Sequence, residues 1–442
     1  MNIAHIAHCK GREILDSRGT PTIEATVILD DGSVGIACAP SGASTGIYEA
    51  HERRDQDSHR YGGRGVEQVA KQIEQEISPA LQGLRADDQG RLDDTLCRLD
   101  GTPNKSRLGA NATLAVSLAA ARAAAAHYTL PLYRYLGGAA ANQLPIPMMN
   151  ILNGGAHASN NVEVQEFMIA PIGARSFSEA VRMCSEIYAV LGRRLRALGH
   201  STTVGDEGGY APNLSSDEEA LRLICDAIHD AGYTSDEVRP ALDAAASEWA
   251  VEAENDDKDA PPSHYLRPKT NERYETADLI RYWQQLFERY PIISLEDGLD
   301  QRDFDGWVTL TGALGKQAML VGDDLFVTNT SRLSLGIARG AGNAILVKPN
   351  QIGTLSETID VVNLAKHARY EFILSHRSGE TEDTTLADLS VALGAKWIKT
   401  GAPCRGERTA KYNRLMNIEA ACRSSARYGA NGRHAARSDE SI

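Results

Sequence analysis

The pattern of hydrophobic and polar positions changes about a third of the way along this chain. From Ile23 to Ala39, apolar and polar residues alternate on either side of an Asp-Asp-Gly turn at 30–32, which predicts a β-hairpin. Helical patterns follow, one from about Gly65 to Leu84 and one in the alanine-rich run ANATLAVSLAAARAAAAHY. We therefore predict a small α+β domain over residues 1–135.

The rest of the chain repeats a different unit. From Glu296 onward, short apolar runs recur at intervals of about 25 residues, a length that accommodates a strand, a helix and two loops. These runs end in polar residues, at Asp243, Glu296, Asp323, Lys348, His376 with Arg377, and Lys399. Parallel βα units with functional groups at the strand ends are typical of a closed α/β barrel, whose active site gathers on that face. An open doubly wound sheet has a similar period but concentrates its site at one switch point, so we favour a closed barrel over residues 140–424.

Two polar segments fall outside these units. Residues 252–273 contain few apolar positions, and we expect a surface insertion there. Residues 425–442 are also polar, and we expect a frayed tail from about Ser424 onward.

Composition and charge narrow the class of function. The 442 residues are 42% hydrophobic and 24% charged, as in ordinary folded proteins, and the formal net charge of −13 argues against nonspecific nucleic-acid binding. Seven scattered cysteines without a C-x-x-C pair favour free thiols in a reducing compartment over disulfides or a zinc site. No apolar run resembles a signal peptide or reaches the ~20 residues of a membrane span. We expect a cytoplasmic protein that binds neither nucleic acid nor membranes.

Three acids at strand ends suggest a metal site. Asp243, Glu296 and Asp323 would meet at the barrel mouth, where three carboxylates repel one another unless a cation lies between them. Ligands that are all oxygen suit Mg²⁺ better than zinc or copper. The alternative is that each acid caps the helix that follows it, which is a common role for Asp but less expected for three acids in register.

Two lysines end apolar runs that are separated by one further run. A lysine close to a metal and to another cation has a lowered pKa and can act as a base, which is the role we expect for Lys348. Lys399 could supply the second positive charge. A lone lysine at a strand end is most often a solvated surface group, but two lysines beside three acids favour catalysis.

Further polar segments could bind a substrate. Arg377 and Ser378, in the loop 375–380, could clamp a phosphate, because Arg binds an oxyanion through two parallel hydrogen bonds. The Gly- and Ser-rich loop 40–46 could close over a phosphate, although such a loop is more often a simple turn. Glu207 lies between glycines in GDEGG, and Glu166 ends the run VEVQE; either could donate a proton if neighbouring charge raises its pKa.

Read together, these segments resemble the enolase family, the phosphopyruvate hydratases of glycolysis. The resemblance covers nearly the whole chain, and its motifs occur in order: GREILDSRG, PSGASTG, NILNGGAHASNNVEVQEFMI, VGDEGGYAPNL, SLEDGL, VGDDLFVTNT, LVKPNQIGTLSET, SHRSGETEDTTLADL and KTGAPCRGERTAKYNRL. It implies a small α+β N-terminal domain followed by an eight-stranded α/β barrel. It also implies a phosphorylated carboxylate substrate and assembly as a homodimer or larger homo-oligomer, and it allows an additional cell-surface or secreted pool.

The resemblance implies roles for individual residues. Two Mg²⁺ ions would bind in each active site, the first held by Asp243, Glu296 and Asp323 and the second with help from Ser44. Lys348 would be the base that removes the C2 proton of 2-phosphoglycerate. Glu207 would protonate the departing hydroxyl, with Glu166 beside it. The residues that would position the substrate are His157, Gln165, Arg377, Ser378, Lys399 and His376.

A few positions depart from the usual family sequence. Ser159 replaces an acid, Pro349 directly follows Lys348 and restricts its backbone, Thr20 replaces Asn, and Gly406 replaces a hydroxyl residue. The segment EAHERRDQD also differs from the usual apolar-acidic version. An alternative function is therefore that of a related enzyme of secondary metabolism that dehydrates a phosphonate or other analogue of 2-phosphoglycerate. A noncatalytic binding protein is a further alternative, which the presence of every implied ligand, acid and base disfavours.

Overall fold

The structure, a computed structural model, describes residues 3–42, 46–253 and 260–429 and the backbone of 433–434. The implied metal ligand Ser44 lies outside these residues. Within them, two separate hydrophobic clusters divide the chain into a small N-terminal α+β unit and a larger α/β barrel, and this confirms the predicted fold class. All seven cysteines are free thiols, as predicted.

The N-terminal unit packs helices on a three-stranded antiparallel sheet. The strands are β1 (Ile6–Leu15), β2 (Pro21–Leu29) and β3 (Val34–Cys38), in the order β1-β2-β3. The helices are α1 (Glu67–Gln72), α2 (Ser78–Leu81), α3 (Gln89–Asp100), α4 (Ala110–His127) and α5 (Leu132–Gly137), and a π-helical turn (Ile73–Ile77) joins α1 to α2. The predicted hairpin and both predicted helices are present, whereas β1 was not predicted.

Close packing explains why α4 is so rich in alanine. Nearly every residue of α4 is buried against the sheet and the neighbouring helices. A Cβ atom on Gly35 of β3 would lie only 2.1 Å from the carbonyl oxygen of Ala119. Small residues on both elements therefore allow the two backbones to approach each other.

The barrel follows in the second part of the chain. The strands from this point are β4 (Gln143–Leu144), β5 (Ile146–Asn153), β6 (Glu166–Ala170), β7 (Arg239–Asp243), β8 (Ala250–Val251), β9 (His264–Leu266), β10 (Arg273–Tyr274), β11 (Ser294–Glu296), β12 (Met319–Gly322), β13 (Ala344–Val347), β14 (Glu371–Ser375), β15 (Trp397–Lys399), β16 (Arg427–Tyr428) and β17 (Arg433–His434). The helices are α6 (Phe177–Ala197), α7 (Asp217–Asp230), α8 (Thr276–Arg289), α9 (Phe304–Leu314), α10 (Thr330–Arg339), α11 (Leu355–His367), α12 (Thr385–Ala392) and α13 (Gly406–Cys422). Eight strands close the barrel in the order β11-β12-β13-β14-β15-β5-β6-β7. In the described part of the chain, no helix combines the length and apolar character needed to cross a membrane.

One barrel strand runs against the prediction of a parallel sheet. β6 pairs antiparallel with both β5 and β7. The connection from β5 to β6 contains a 3₁₀ turn (Gly155–His157) instead of a crossover helix, and parallel neighbours need such a crossover. The reversal places the first residue of β6, Glu166, at the end of the barrel where the parallel strands finish, and Glu166 pairs with Asp243 of β7.

The two polar segments are more ordered than predicted. Part of the expected insertion at 252–273 forms a small sheet, β10-β9-β8, in which Tyr265 is fully buried. The guanidinium of Arg267 is also buried and lies 4.3 Å from the ring centroid of Tyr282. After Ser424, β16 pairs with β4 and buries Tyr428, so this described part of the tail is not frayed. Scattered aromatic residues therefore anchor segments whose average composition is polar.

Candidate active site

The barrel brings the predicted residues to one mouth. Asp243, Glu296 and Lys399 are the last residues of β7, β11 and β15. Asp323 and Lys348 directly follow β12 and β13, and His376, Arg377 and Ser378 follow β14. An inner pocket of about 30 Å³, roughly the room of one water molecule, opens at this mouth. A larger cleft of about 640 Å³ between the two domains shares Arg377 with the inner pocket.

The inner pocket carries an excess of acids. Six carboxylate side chains line it against three cationic ones. The acids are Glu166, Glu207, Asp243, Asp297, Asp323 and Asp324, and the cations are Lys348, Arg377 and Lys399. Such an excess in a buried place favours the binding of further positive charge.

Lys399 neutralises one group of these acids. Its Nζ atom lies 2.9 Å from Asp243 Oδ2 and from both carboxylate oxygens of Glu296, and 3.2 Å from Glu166 Oε1. Burial lowers the pKa of Lys399, but the three carboxylates outweigh burial and hold the pKa well above its usual range. Lys399 is therefore a fixed positive charge at the centre of the site.

Lys348 contacts Asp323, and this contact reverses the expected direction of its pKa. Burial, Arg377 and Lys399 lower the pKa of Lys348, but the hydrogen-bonded carboxylate of Asp323 leaves the net pKa raised. Gln351, which was not predicted, donates to the other oxygen of Asp323 at 2.8 Å. The backbone of Lys348 is extended, with φ −118° and ψ 104°, as expected for a residue before proline, so Pro349 fits without displacing the side chain from the mouth.

The acids on β7, β11 and β12 have the chemistry of a Mg²⁺ site. Asp243, Glu296 and Asp323 follow adjacent strands and are buried, and burial together with the charge of Asp243 holds the pKa of Glu296 well above its usual range. A carboxylate whose ionised form is destabilised in this way is stabilised by a bound divalent cation. The donors are all oxygen atoms, so these residues fit the predicted metal.

Two further acids of the site were not predicted from the sequence. Asp297 and Asp324 each directly follow a predicted ligand, and one oxygen of each lies within 4.8 Å of an oxygen of Asp323. Burial and Asp323 raise the pKa of Asp324 to about 8. Both oxygens of Asp297 accept backbone N–H bonds, from Asp323 at 3.0 Å and from Asp324 at 2.9 Å. The adjacent acids in SLED and VGDD are the sequence feature from which these two residues could have been predicted.

A second group of acids lies beside these residues. Ligand atoms of Glu166, Glu207 and His157 all lie within 4.8 Å of one another, and the three side chains are buried. Burial and the charge of Glu207 hold the pKa of Glu166 well above its usual range. Burial also raises the pKa of Glu207, but His376 and His157 outweigh it and leave this pKa well below its usual range. Of the two carboxyl groups, Glu166 is therefore the one that binds a proton more tightly.

Neighbouring residues orient Glu207. Asn150, which was not predicted, donates to Glu207 Oε2 at 3.2 Å, and His376 Nε2 lies 3.2 Å from the same oxygen. The glycines of the GDEGG loop allow its backbone to pass close to neighbouring groups. A Cβ atom on Gly208, whose φ is +91°, would lie 2.8 Å from Cys404 Sγ, and one on Gly209 would lie 2.5 Å from Asn153 Oδ1.

The remaining predicted residues line the same pocket. Gln165 precedes β6 and donates to Asp243 Oδ2 at 3.4 Å. Arg377 and Ser378 are buried, and Arg377 Nη1 donates to Glu49 Oε2 of the N-terminal domain at 2.8 Å. Glu49 was not predicted as a site residue. Through its contact with Glu49, Arg377, which is proposed to bind phosphate, also joins the two domains.

Comparison with protein families agrees with this architecture. Residues 6–136 match the family model described as "Enolase, N-terminal domain". Residues 141–438 match the family model described as "Enolase, C-terminal TIM barrel domain". Because the two matches together cover nearly the whole chain, the protein belongs to the enolase family of Mg²⁺-dependent lyases.

Proposed function

We propose that the protein is a hydro-lyase that reversibly dehydrates 2-phosphoglycerate to phosphoenolpyruvate in glycolysis and gluconeogenesis. The observation that carries this proposal is that one buried pocket holds Lys348, the Glu166–Glu207 pair and the Arg377–Ser378 loop. These groups are a candidate base, a candidate acid and a candidate phosphate ligand. The family membership supports a lyase of this kind.

Lys348 is the proposed base, in its neutral form. Mg²⁺ held by Asp323 would offset the carboxylate charge that raises the pKa of Lys348 and so favour the loss of its proton to solvent. Lys348 takes the proton from C2, and the bonding electrons pass toward the substrate carboxylate, which then carries two negative charges. Lys399, whose ammonium is held in place by three carboxylates, stabilises this charge where it develops. Mg²⁺ ions held by Asp243, Glu296 and Asp323, and with help from Ser44, would supply further electrostatic stabilisation of the same charge.

Glu207 is the proposed acid, with Glu166 beside it. As the C3–O bond breaks, one proton passes from this pair to the leaving hydroxyl, and water departs. Oxygen atoms of the two carboxyl groups lie within 4.8 Å of one another, and burial with mutual charge favours keeping one of them protonated. His157 and Gln165 border this pair and position the substrate, while Arg377 and Ser378 bind its phosphate.

A direct assay tests the proposal. The purified protein is mixed with 2-phosphoglycerate, with and without Mg²⁺, and the ultraviolet absorbance of the enol product is followed. We expect turnover that depends on Mg²⁺. If a folded protein that binds Mg²⁺ shows no turnover, the proposed substrate is wrong, and phosphonate analogues of 2-phosphoglycerate become the next candidates.

Mg²⁺ should also stabilise the folded protein. At about 100 times its dissociation constant, a ligand that binds only the native state adds about 2.7 kcal/mol, which should raise the melting temperature by several degrees. Differential scanning calorimetry of the wild type and of Asp323→Asn, with and without Mg²⁺, measures this shift. The matched control is Asp305→Asn, because the Asp305 side chain is 99% exposed. A shift of equal size in Asp323→Asn would remove Asp323 from the metal site.

Assembly and location complete the proposal. We propose a homodimer or larger homo-oligomer in the cytoplasm. Leu15 and Ile36 of the N-terminal sheet are apolar yet 55% and 44% exposed, and burial of such residues between subunits would stabilise an assembly. Light scattering of the purified protein measures the mass of the assembly.

A further inference from the structure

Arg408 is a buried cation that was not predicted from the sequence. It lies in the first turn of α13 and has no exposed surface. Its side chain passes over Gly401, where a Cβ atom would lie 2.7 Å from Arg408 Cδ. A buried guanidinium is costly unless it is extensively hydrogen-bonded, so its contacts are expected to be specific.

The contacts of Arg408 join the two loops that carry the proposed chemistry. Nη1 donates to the carbonyl oxygen of Arg377 at 2.6 Å, and Nη2 donates to that of Ser378 at 2.6 Å. Nη2 also donates to the carbonyl oxygen of Asp206, next to Glu207, at 3.4 Å. Arg408 therefore holds the phosphate-binding loop and the acid loop in one relative position.

A further contact fixes the protonation of a histidine. Arg408 Nη1 lies 2.5 Å from Nδ1 of His376. A guanidinium can only donate hydrogen bonds, so Nδ1 must accept, and the proton of neutral His376 must be on Nε2. That nitrogen lies 3.2 Å from Glu207 Oε2 but forms no hydrogen bond with any described residue, so its N–H remains available to Glu207. Burial lowers the pKa of His376 to about 4, so the imidazole is neutral at physiological pH.

We propose that Arg408 is a positioning residue that fixes His376 as its Nε2–H tautomer and places this N–H beside the carboxyl group of Glu207. The inference rests on the proposed role of Glu207 as the acid. Once Glu207 has given its proton to the leaving hydroxyl, the carboxylate that remains receives the N–H of His376. The opposite tautomer would present a lone pair to this carboxylate and would oppose the transfer.

The tautomer of His376 can be measured without any substrate. The wild-type protein is labelled with ¹⁵N-histidine, and the His376 signals are assigned by comparison with His376→Asn, because the chain contains 12 histidines. Two-bond ¹H–¹⁵N correlation spectra distinguish the two neutral tautomers. We expect the Nε2–H tautomer throughout about pH 6–8, the range in which an ordinary histidine with a pKa of ~6.5 changes its charge. Observation of the Nδ1–H tautomer, or of the charged imidazolium, would overturn the inference whether or not 2-phosphoglycerate is the substrate.

Arg408→Lys tests the link between tautomer and rate. Lysine keeps the positive charge but cannot reach all the acceptors of the guanidinium, so His376 should become a mixture of tautomers. We expect kcat to fall roughly 10–100-fold while KM changes little, as for other residues that orient a catalytic group through a neighbour. The matched control is Arg414→Lys on the same helix, because Arg414 pairs with Asp388 outside the site.

The combined outcomes are decisive. A fall in kcat with the His376 tautomer unchanged would show that Arg408 acts only through the loop backbones and would overturn the tautomer assignment to Arg408. If Arg408→Lys does not fold, the wild-type spectrum alone decides which tautomer the structure holds. If the wild type does not turn over 2-phosphoglycerate but His376 has the expected tautomer, the proposed substrate fails and the positioning by Arg408 stands.

Discussion

Replacing Lys348 by alanine is expected to abolish turnover of 2-phosphoglycerate while leaving the fold and Mg²⁺ binding intact. General base catalysis contributes about 10²–10⁴-fold to a rate. Lys399, the other amine among the described residues of the buried pocket, is held by three carboxylates, so we expect a loss of at least about 10³-fold in kcat. Steady-state kinetics with saturating Mg²⁺ measures the loss.

The fold should tolerate this change because Asp323 keeps another partner. Gln351 still donates to Asp323 Oδ1 at 2.8 Å after the lysine has been removed. Calorimetry with and without Mg²⁺ checks that the variant folds and binds the metal. The matched control is Lys396→Ala, because Lys396 directly precedes β15, at the opposite end of that strand from Lys399, and is 33% exposed. Near-normal turnover by Lys348→Ala would remove Lys348 as the base.

The sequence predicts most of the site because barrel geometry is regular. Residues that end successive parallel strands must meet at one mouth, so the spacing of Asp243, Glu296, Asp323, Lys348 and Lys399 along the chain is sufficient to predict that they lie together. The resemblance to the enolase family added the roles. The fold class followed from the same two sources.

The strand direction of β6 could not be predicted from this regularity. Its apolar run has the same pattern as the parallel strands, and only the conformation of residues 154–165 shows that no helix crosses over before it. Glu166 thus reaches the mouth from the start of a strand, whereas the other acids reach it from strand ends. If β6 ran parallel to the other strands, its first residue, Glu166, would lie at the opposite end of the barrel.

Ionic contacts between residues that are distant along the chain also could not be predicted from the sequence. The expected low pKa of Lys348 assumed a neighbouring cation, but the folded chain places Asp323 against its ammonium. Arg408 was missed because its acceptors lie about 30 residues away in one loop and about 200 residues away in another. A buried arginine of this kind is recognised only when the acceptors around it are known.

Replacing Glu207 by glutamine is expected to separate the two proton transfers. Glutamine keeps the shape of the side chain and an oxygen for Asn150 and His376, but it cannot donate the proton that the leaving hydroxyl needs. Dehydration should fall by about 10²–10⁴-fold, the usual contribution of a general acid. Lys348 is untouched, so the C2 proton should still exchange slowly with solvent.

Exchange in D₂O, followed by ¹H NMR of 2-phosphoglycerate, measures the first transfer, and the absorbance assay measures the second. Asp206→Asn, one residue earlier in the same loop, is the matched control and should leave both rates near those of the wild type. Glu166→Gln provides the sharper comparison, because Glu166 has the raised pKa of the pair. If Glu166→Gln alone blocks dehydration and preserves exchange, Glu166 is the acid and Glu207 its partner. If Glu207→Gln stops exchange and dehydration equally, the division of labour between Lys348 and Glu207 is wrong, because a residue that acts only on the leaving hydroxyl has no means of halting the removal of the C2 proton.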